Sequence, residues 1–282
     1  MLTKKINRSR AGTMMLFLFI AIFGAFMAMP LVFTVSNAFK PLNELFYFPP
    51  RFLVRNPTLD NFSDLFILMS ASWVPFSRYV FNTVFITLSG TVGHVVIASL
   101  AAYGLAKHEF PGHKFLFTIV VLSLMFSANV TAIPNYMIIS ALGMNNTYWA
   151  IIVPAFAGSL GLYLMKQFME QLPDSLLESA RIDGCSEYRI FWSVAMPNVK
   201  PAWFTLTILM FQVLWGHSGG IFLRSEQLKP MSFALFQIVQ GGIARAGAAG
   251  AVGFILMTVP ITMFIFFQSK IIETMATSGM KE

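Results

Sequence analysis

Charge is what this chain has least of. Only 11% of its 282 residues are Asp, Glu, Lys or Arg, against about a quarter in an ordinary soluble domain. With 56% hydrophobic residues, a water-soluble fold would have to expose apolar patches that soluble monomers avoid. Cysteine is nearly absent too: Cys185 stands alone, so no intrachain disulfide holds the fold. The four histidines (His94, His108, His113 and His217) lie far apart or in expected loops. No Cys/His cluster has metal-ligand spacing, so no metal site is expected. No Gly-x4-Gly-Lys-Ser/Thr run occurs, nor any Gly-Lys pair, which excludes the usual phosphate loop for ATP. The net charge of +7 is scattered between apolar runs and forms no stripe for nucleic acid.

Long apolar runs are what remains. Uncharged stretches cover residues 11–39, 79–106, 115–165, 201–223 and 246–269. About 20 apolar residues cross the roughly 30 Å of hydrocarbon in a bilayer, and unbroken backbone in lipid must be helical. The third stretch is too long for one crossing, and the turn-rich Gly143-Met144-Asn145-Asn146-Thr147 divides it. The expectation is an all-α polytopic membrane protein with six spans near 12–36, 79–106, 115–141, 148–168, 201–222 and 247–269. The first run follows Lys4, Lys5, Arg8 and Arg10 like a signal peptide. It is longer than a cleavable core of about 7–15 residues and has no small-x-small cleavage site. It is therefore expected to be a retained span.

Six spans place both termini on one side. With that side cytoplasmic, twelve basic residues lie inside: Lys4, Lys5, Arg8, Arg10, Lys107, Lys114, Lys166, Arg181, Arg189, Lys200, Lys270 and Lys281. Seven lie outside: Lys40, Arg51, Arg55, Arg78, Arg224, Lys229 and Arg245. The bias favours cytoplasmic termini. The chain then divides into a tail (1–11), a first span (12–36), an extracytoplasmic loop (37–78), a core of five spans (79–270) with a cytoplasmic loop (169–200), and a second tail (271–282). The outer loop is rich in Pro and aromatics, with Pro41, Phe46, Tyr47, Phe48, Pro49, Pro50 and Phe52. It reads as a short lid against the outer interface.

The cytoplasmic loop carries five of the twelve acids: Glu170, Asp174, Glu178, Asp183 and Glu187. Pro173 and Asp174 signal a helix start, and Gly184 suits the left-handed position after a helix end. Between them a helix of about nine residues is expected. Ser186 can cap a second short helix, Glu187 to Ala195, ended by Pro197. Helices this short are marginal alone and need a surface. With Leu176, Leu177 and Ala180 on an apolar face and Glu178, Arg181 and Asp183 supplying charge, the first helix suits a cleft on a soluble partner. An amphipathic helix lying on lipid is the alternative.

Glu178-Ser179-Ala180, three residues, Gly184, nine residues, then Val194-Ala195-Met196-Pro197 resembles the EAA loop of ABC importer permeases. That pattern is Glu-Ala-Ala, three residues, Gly, nine residues, Ile-x-Leu-Pro. Ser179, Val194 and Met196 depart from it by residues of similar size. Further stretches are similar to the carbohydrate-uptake, maltose-type branch: Phe81-Asn82-Thr83, Ala101-Ala102-Tyr103-Gly104-Leu105-Ala106, Phe110-Pro111-Gly112, Ile133-Pro134, Asn146-Thr147-Tyr148-Trp149 and Tyr188-Arg189-Ile190-Phe191. The likeness is close over residues 75–215. Many relatives carry Trp-Asn-(Asp/Glu) in the fifth span, where this chain has Trp215-Gly216-His217-Ser218-Gly219.

The resemblance implies a type I ABC importer permease in a bacterial cytoplasmic membrane. It implies a second permease, two cytoplasmic ATPase subunits and an extracytoplasmic solute-binding protein as partners. ATP and Mg would sit on the ATPase subunits and no cofactor on this chain. Glu178, Ser179, Ala180, Arg181, Asp183, Gly184 and Pro197 would couple to the ATPase. The implied cargo is a sugar or oligosaccharide; glycerol phosphate or a peptide is the alternative, because a coupling loop identifies the motor and not the solute. A secondary transporter would need charges inside the spans, and a membrane enzyme a nucleophile–base pair or intramembrane carboxylates. Neither pattern is present.

Smaller signals keep two readings each. Ser127, Asn129, Thr131 and Asn135 flank Pro134 in the third span, as a polar lining for solute or as interhelical hydrogen bonds. Gln212 and Trp215 in the fifth could meet a sugar, with Trp215 alternatively an interfacial anchor. His94 is expected to hydrogen-bond between helices. Glycines and alanines over 241–253 are expected to allow close helix packing, and Cys185 simply to replace a small residue.

Overall fold

The computed structural model describes residues 10–70, 73–242 and 245–278. Lys4, Lys5, Arg8, Lys281 and Glu282 lie outside the described residues. All regular structure in the described residues is helical. The chain order begins α1 (Arg10–Phe39), α2 (Leu42–Leu45), α3 (Asp60–Ser70), α4 (Phe76–Lys107), α5 (His113–Ser123), α6 (Ala128–Ala141), α7 (Trp149–Phe156) and α8 (Ser159–Glu170). It continues with α9 (Asp174–Ile182), α10 (Glu187–Ile190), α11 (Met196–Asn198), α12 (Lys200–Trp215), α13 (Met231–Val239) and α14 (Ala246–Ser278). Two compact units result: residues 1–71 with 238–255, and residues 72–237 with 256–282.

In the first unit the small residues at the start of α14 do the packing expected of them. A Cβ on Gly250 would stand 2.8 Å from the Asn37 carbonyl oxygen, so the two backbones touch. Phe39, Phe62 and Phe254 form an aromatic triangle with centroids 5.3–5.8 Å apart. The Asn61 amide donates to the carbonyls of Ala38 (2.9 Å) and Lys40 (2.7 Å) at the end of α1. Those carbonyls have no partner within the helix.

In the second unit α4 is the central helix, packed on α7, α8 and α12. Its glycines allow the approach: a Cβ on Gly90 would meet Leu214 of α12 at 2.5 Å, and one on Gly93 would overlap Phe156 of α7. Among the described residues, four helical segments are long and apolar enough to cross a membrane: Arg10–Phe39, Phe76–Lys107, Trp149–Glu170 and Ala246–Gln268. The other two expected spans depart from their assigned limits. That assigned to 115–141 is two helices, α5 and α6, separated by residues 124–127. That assigned to 201–222 stops as a helix at Trp215, where Gly216, Gly219 and Gly220 turn the chain, the last two with positive φ. The span at 148–168 is likewise interrupted, at Ala157 and Gly158 after Pro154. Apolar composition marks where lipid is tolerated, whereas glycine and proline decide where the helix stops.

His94 is fully buried and, as expected, meets a neighbouring helix through its ring: the backbone of Ala155 and Phe156 on α7 lies beside it, though neither nitrogen makes a hydrogen bond of normal geometry. It fills the space left by two glycines of the α7–α8 junction and α8: a Cβ on Gly158 would lie 2.5 Å from Cε1, and one on Gly161 would overlap Nε2. Thr87 and Thr91, on the same face of α4 by helical spacing, also bury unpartnered hydroxyls.

Candidate functional site

The segment after α8 folds as its local residues dictate. Pro173 stands in extended conformation before α9, and Asp174 opens the helix. The helix ends in a full Schellman arrangement. Gly184 sits at φ +78°; its N–H reaches the Arg181 carbonyl (3.0 Å), and the Cys185 N–H reaches that of Ala180 (3.0 Å). Cys185 and Ala180 both pack against the core cluster, so Cys185 serves as the apolar residue that closes the cap. The Ser186 hydroxyl then accepts from the Arg189 N–H at 3.4 Å.

The second helix differs from expectation. It is α-helical only over Glu187–Ile190, passes through a π turn at Phe191–Ala195, and continues into α11. Pro197 therefore lies inside a helical run. The π turn precedes a proline that cannot donate to the preceding turn, a recognised cause of such irregularity.

Side-chain direction divides α9. Leu177 is buried and Ala180 partly so, against Ala102, Met165, Met169, Ile190 and Phe191. Leu176 faces outward instead of sharing that face, as do Glu178, Ser179, Arg181 and Asp183. Ile182 is 86% exposed and Tyr188 72%.

Polar contacts then fasten this segment to the end of α4. Lys107, its side chain 5% exposed, donates to the Leu172 carbonyl (2.6 Å) and to Asp174 (2.7 Å). The Tyr103 hydroxyl donates to Glu187 at 3.1 Å, and Arg181 Nε donates to the same carboxylate at 2.7 Å. Lys107 holds the Asp174 carboxyl below its ordinary range. The Arg181 hydrogen bond does the same for Glu187, outweighing the opposing effect of burial, with Tyr103 adding to it. Sequence reasoning missed Tyr103, Lys107 and Glu187 as one group; the only signal available was a basic residue closing an apolar run. Beside them opens a cavity of about 580 Å³ lined by charged residues including Lys114, Lys166, Glu170 and Glu178.

The opposite end of α4 is clamped as well. The Asn82 amide donates to the carbonyls of Gln227 (2.8 Å) and Lys229 (2.9 Å), and its oxygen accepts from the Tyr148 hydroxyl (2.7 Å). The Thr83 hydroxyl accepts the Met231 N–H at 2.7 Å. Asn146 Oδ1 accepts from the N–H groups of Arg224 and Ser225. The Asn82 and Thr83 bonds hold the loop after α12 onto the end of the helix, and Asn146 ties the same loop to the turn before α7.

The residues considered for a solute path differ in exposure. Asn129, Thr131 and Asn135 lie exposed on α6, and Gln212 lies exposed on α12. Trp215 is buried; it stacks on Phe211 with centroids 5.6 Å apart and donates its indole N–H to the Leu256 carbonyl at 3.3 Å. Its ring is thus packed into the protein.

Comparison with known proteins agrees with this arrangement. Residues 10–276 match the family described as the binding-protein-dependent transport system inner membrane component. Protein LplC of Bacillus subtilis is 34% identical over 228 residues, covering 78% of this chain and 73% of LplC. The arabinooligosaccharides transport system permease protein AraQ of Halalkalibacterium halodurans is 31% identical over 276 residues, 94% of each chain. A chain from the crystal structure of a bacterial ABC transporter involved in import of the acidic polysaccharide alginate superimposes with a TM-score of 0.75 at 21% identity, over 93% of this chain and 98% of that one. The chain thus has the fold of an ABC importer permease and belongs to the family of binding-protein-dependent transport system inner membrane components.

Proposed function

We propose that this chain forms, with a second permease, the translocation path of an importer for a sugar or oligosaccharide, and that α9 is the element through which cytoplasmic ATPase subunits drive it. The observation that carries the coupling role is the attachment of α9 to α4. Lys107, Tyr103, Arg181 and Glu187 join the exposed segment to the end of a helix about 48 Å long whose other end holds the loop after α12. A displacement of α9 would therefore be delivered to the central helix and not absorbed in a flexible loop. Alternation of two packed states is the ordinary way such a push becomes transport.

In this reading Glu178, Ser179, Arg181, Asp183, Leu176 and Ile182 meet a groove of the ATPase, while Ala180, Gly184 and Pro197 shape the segment. ATP and Mg belong to two cytoplasmic ATPase subunits, and this chain performs no chemistry of its own. Both termini are cytoplasmic, and a solute-binding protein delivers cargo from the opposite side. An oligosaccharide is supported by the likeness to AraQ, a permease protein of an arabinooligosaccharides transport system, over 94% of each chain.

Gentle purification of the tagged chain from its native membrane, with mass spectrometry of co-purifying proteins, tests the assembly. A subunit with a phosphate loop and a second permease are expected. Recovery of the chain alone or as a homo-oligomer in several mild detergents would remove the coupling role. Uptake by the reconstituted complex, with oligosaccharides compared against glycerol phosphate and peptides, tests the cargo separately.

A further inference from the structure

The loop after α1 is held in one shape by charges turned inward. The Thr58 N–H reaches the Phe39 carbonyl at 2.9 Å, closing residues 40–58 on themselves. Glu44, 4% exposed, accepts from the N–H groups of Arg55 (3.1 Å) and Asn56 (3.0 Å) and from the Asn56 amide (3.2 Å). Lys40, 2% exposed, donates to Asn37 Oδ1 at 2.9 Å and to the Arg51 carbonyl. A loop braced by buried charges would be expected to hide its apolar side chains as well. This one displays them: Phe48 is 94% exposed, Leu53 62%, Phe46 54%, Tyr47 51% and Phe52 43%.

Two observations say what covers this surface. Residue 40 directly follows α1, a helix of 30 residues and so about 45 Å long, which is enough to cross a bilayer. The loop thus begins where the helix leaves lipid, at the level where aromatic residues concentrate in membrane proteins. Its outward charge also has one sign. Glu44 is the only acid between residues 40 and 59 and is turned inward, whereas Arg51 and Arg55 are exposed, with the Arg51 guanidinium 4.9 Å from the centre of the Tyr47 ring. Cations on apolar surface beside a span are placed to meet phosphate while their stems stay in the interface.

We propose that this loop is a membrane anchor: Phe46, Tyr47, Phe48 and Phe52 enter the boundary between headgroups and acyl chains, and Arg51 and Arg55 bind phospholipid phosphate. The first crossing is thereby held at a fixed depth. The partner is the bilayer surface, and the anchor is independent of which solute the permease carries.

The single cysteine makes the test direct. In a Cys185→Ser background, Phe48→Cys carries a nitroxide and the complete complex is reconstituted in phosphatidylcholine vesicles with or without phosphatidylglycerol. Because Phe48 is almost wholly exposed, the label disturbs no packing. Oxygen is expected to relax the label more strongly than a water-soluble nickel chelate, the reverse of a label at Glu109→Cys in an exposed turn. Adding Arg51→Gln and Arg55→Gln is expected to move the label toward water and abolish any deepening caused by phosphatidylglycerol. Nickel accessibility equal to that at Glu109 in both vesicle types would overturn the proposal. So would shielding from both reagents that appears only when the solute-binding protein is added, since the loop would then be a protein-docking surface.

Discussion

Helices α1 and α4 are of nearly equal length, 30 and 32 residues, yet they are used in opposite ways. The more apolar one, α1, has no buried residue in its most hydrophobic stretch, whereas α4 buries 39% of its own. What α4 has in place of extra hydrophobicity is small and polar residues at the contact: Gly90, Gly93, Thr83, Asn82 and Ser99. In a bilayer, apolar surface gains little by leaving lipid, so packing follows close approach and hydrogen bonding and not greasiness. The helix best suited to lipid is therefore not the one that organises the protein.

Exchanging glycines between the two helices' surroundings should give the largest contrast. Gly161→Leu drives a side chain into His94 and Leu206, and overpacking of this kind costs about 1–3 kcal/mol or more. A clear fall in the aggregation temperature of the solubilised complex is expected. Gly24→Leu on α1 meets nothing within 4 Å and should be close to neutral. The comparison breaks if Gly24→Leu is the more damaging, because α1 would then have a tight partner outside this chain.

Next come two substitutions at the attachment of α9. Gly184→Val meets no atom within 4 Å but must adopt φ +78°, which a β-branched residue resists. The expected result is a membrane-inserted protein whose uptake falls by about tenfold or more, consistent with roughly 1–3 kcal/mol of backbone strain; normal uptake would count heavily against a coupling role. Lys107→Met leaves Asp174 and the Leu172 carbonyl without their buried cation. Solute-stimulated ATP hydrolysis should fall about three- to tenfold, as expected for losing about 1 kcal/mol from a pair whose carboxylate is largely exposed. Asp174→Asn, which keeps an acceptor, should do less.

His94→Leu sharpens the comparison from the other side. Replacing a buried group that makes no hydrogen bond of normal geometry with an apolar one of similar size removes a desolvation cost, so thermal stability should hold or rise. A marked loss would mean that the backbone of Ala155 and Phe156 beside the ring holds it.

The smallest effect concerns pH. The Asp174 and Glu187 carboxyls are depressed in the folded protein, so their contribution is complete above the ordinary carboxylate range, about pH 4–5. It is lost only as pH falls through the lower folded values. The difference in thermal midpoint between the native chain and Asp174→Asn should therefore stay constant from about pH 8 to 5 and shrink below about pH 4.

Local grammar was the most legible part of this protein. Pro173, Asp174, Gly184 and Ser186 act within a few residues of themselves, so the extent of α9 and its cap followed from their identities. The contacts that fasten α9 and the segment after it to α4 join residues 67 and 84 positions apart, and no local pattern shows them. Trp215 kept two readings for a related reason: an aromatic near the end of an apolar run reads alike whether it faces lipid, solute or, as here, the Leu256 carbonyl. The breaks at residues 124–127 and after Trp215 were hidden because hydropathy averages over polar and glycine residues that backbone geometry does not ignore.

By itself the sequence determined the solvent, the helical class and the family of this chain, because each rests on composition or on short motifs whose physics is local. Only the tertiary structure decided which helix is central to the second unit, what braces α9 and where polar groups are buried. Those depend on where side chains distant in sequence meet, and in a membrane that is settled by close packing and hydrogen bonds, which apolar content does not encode.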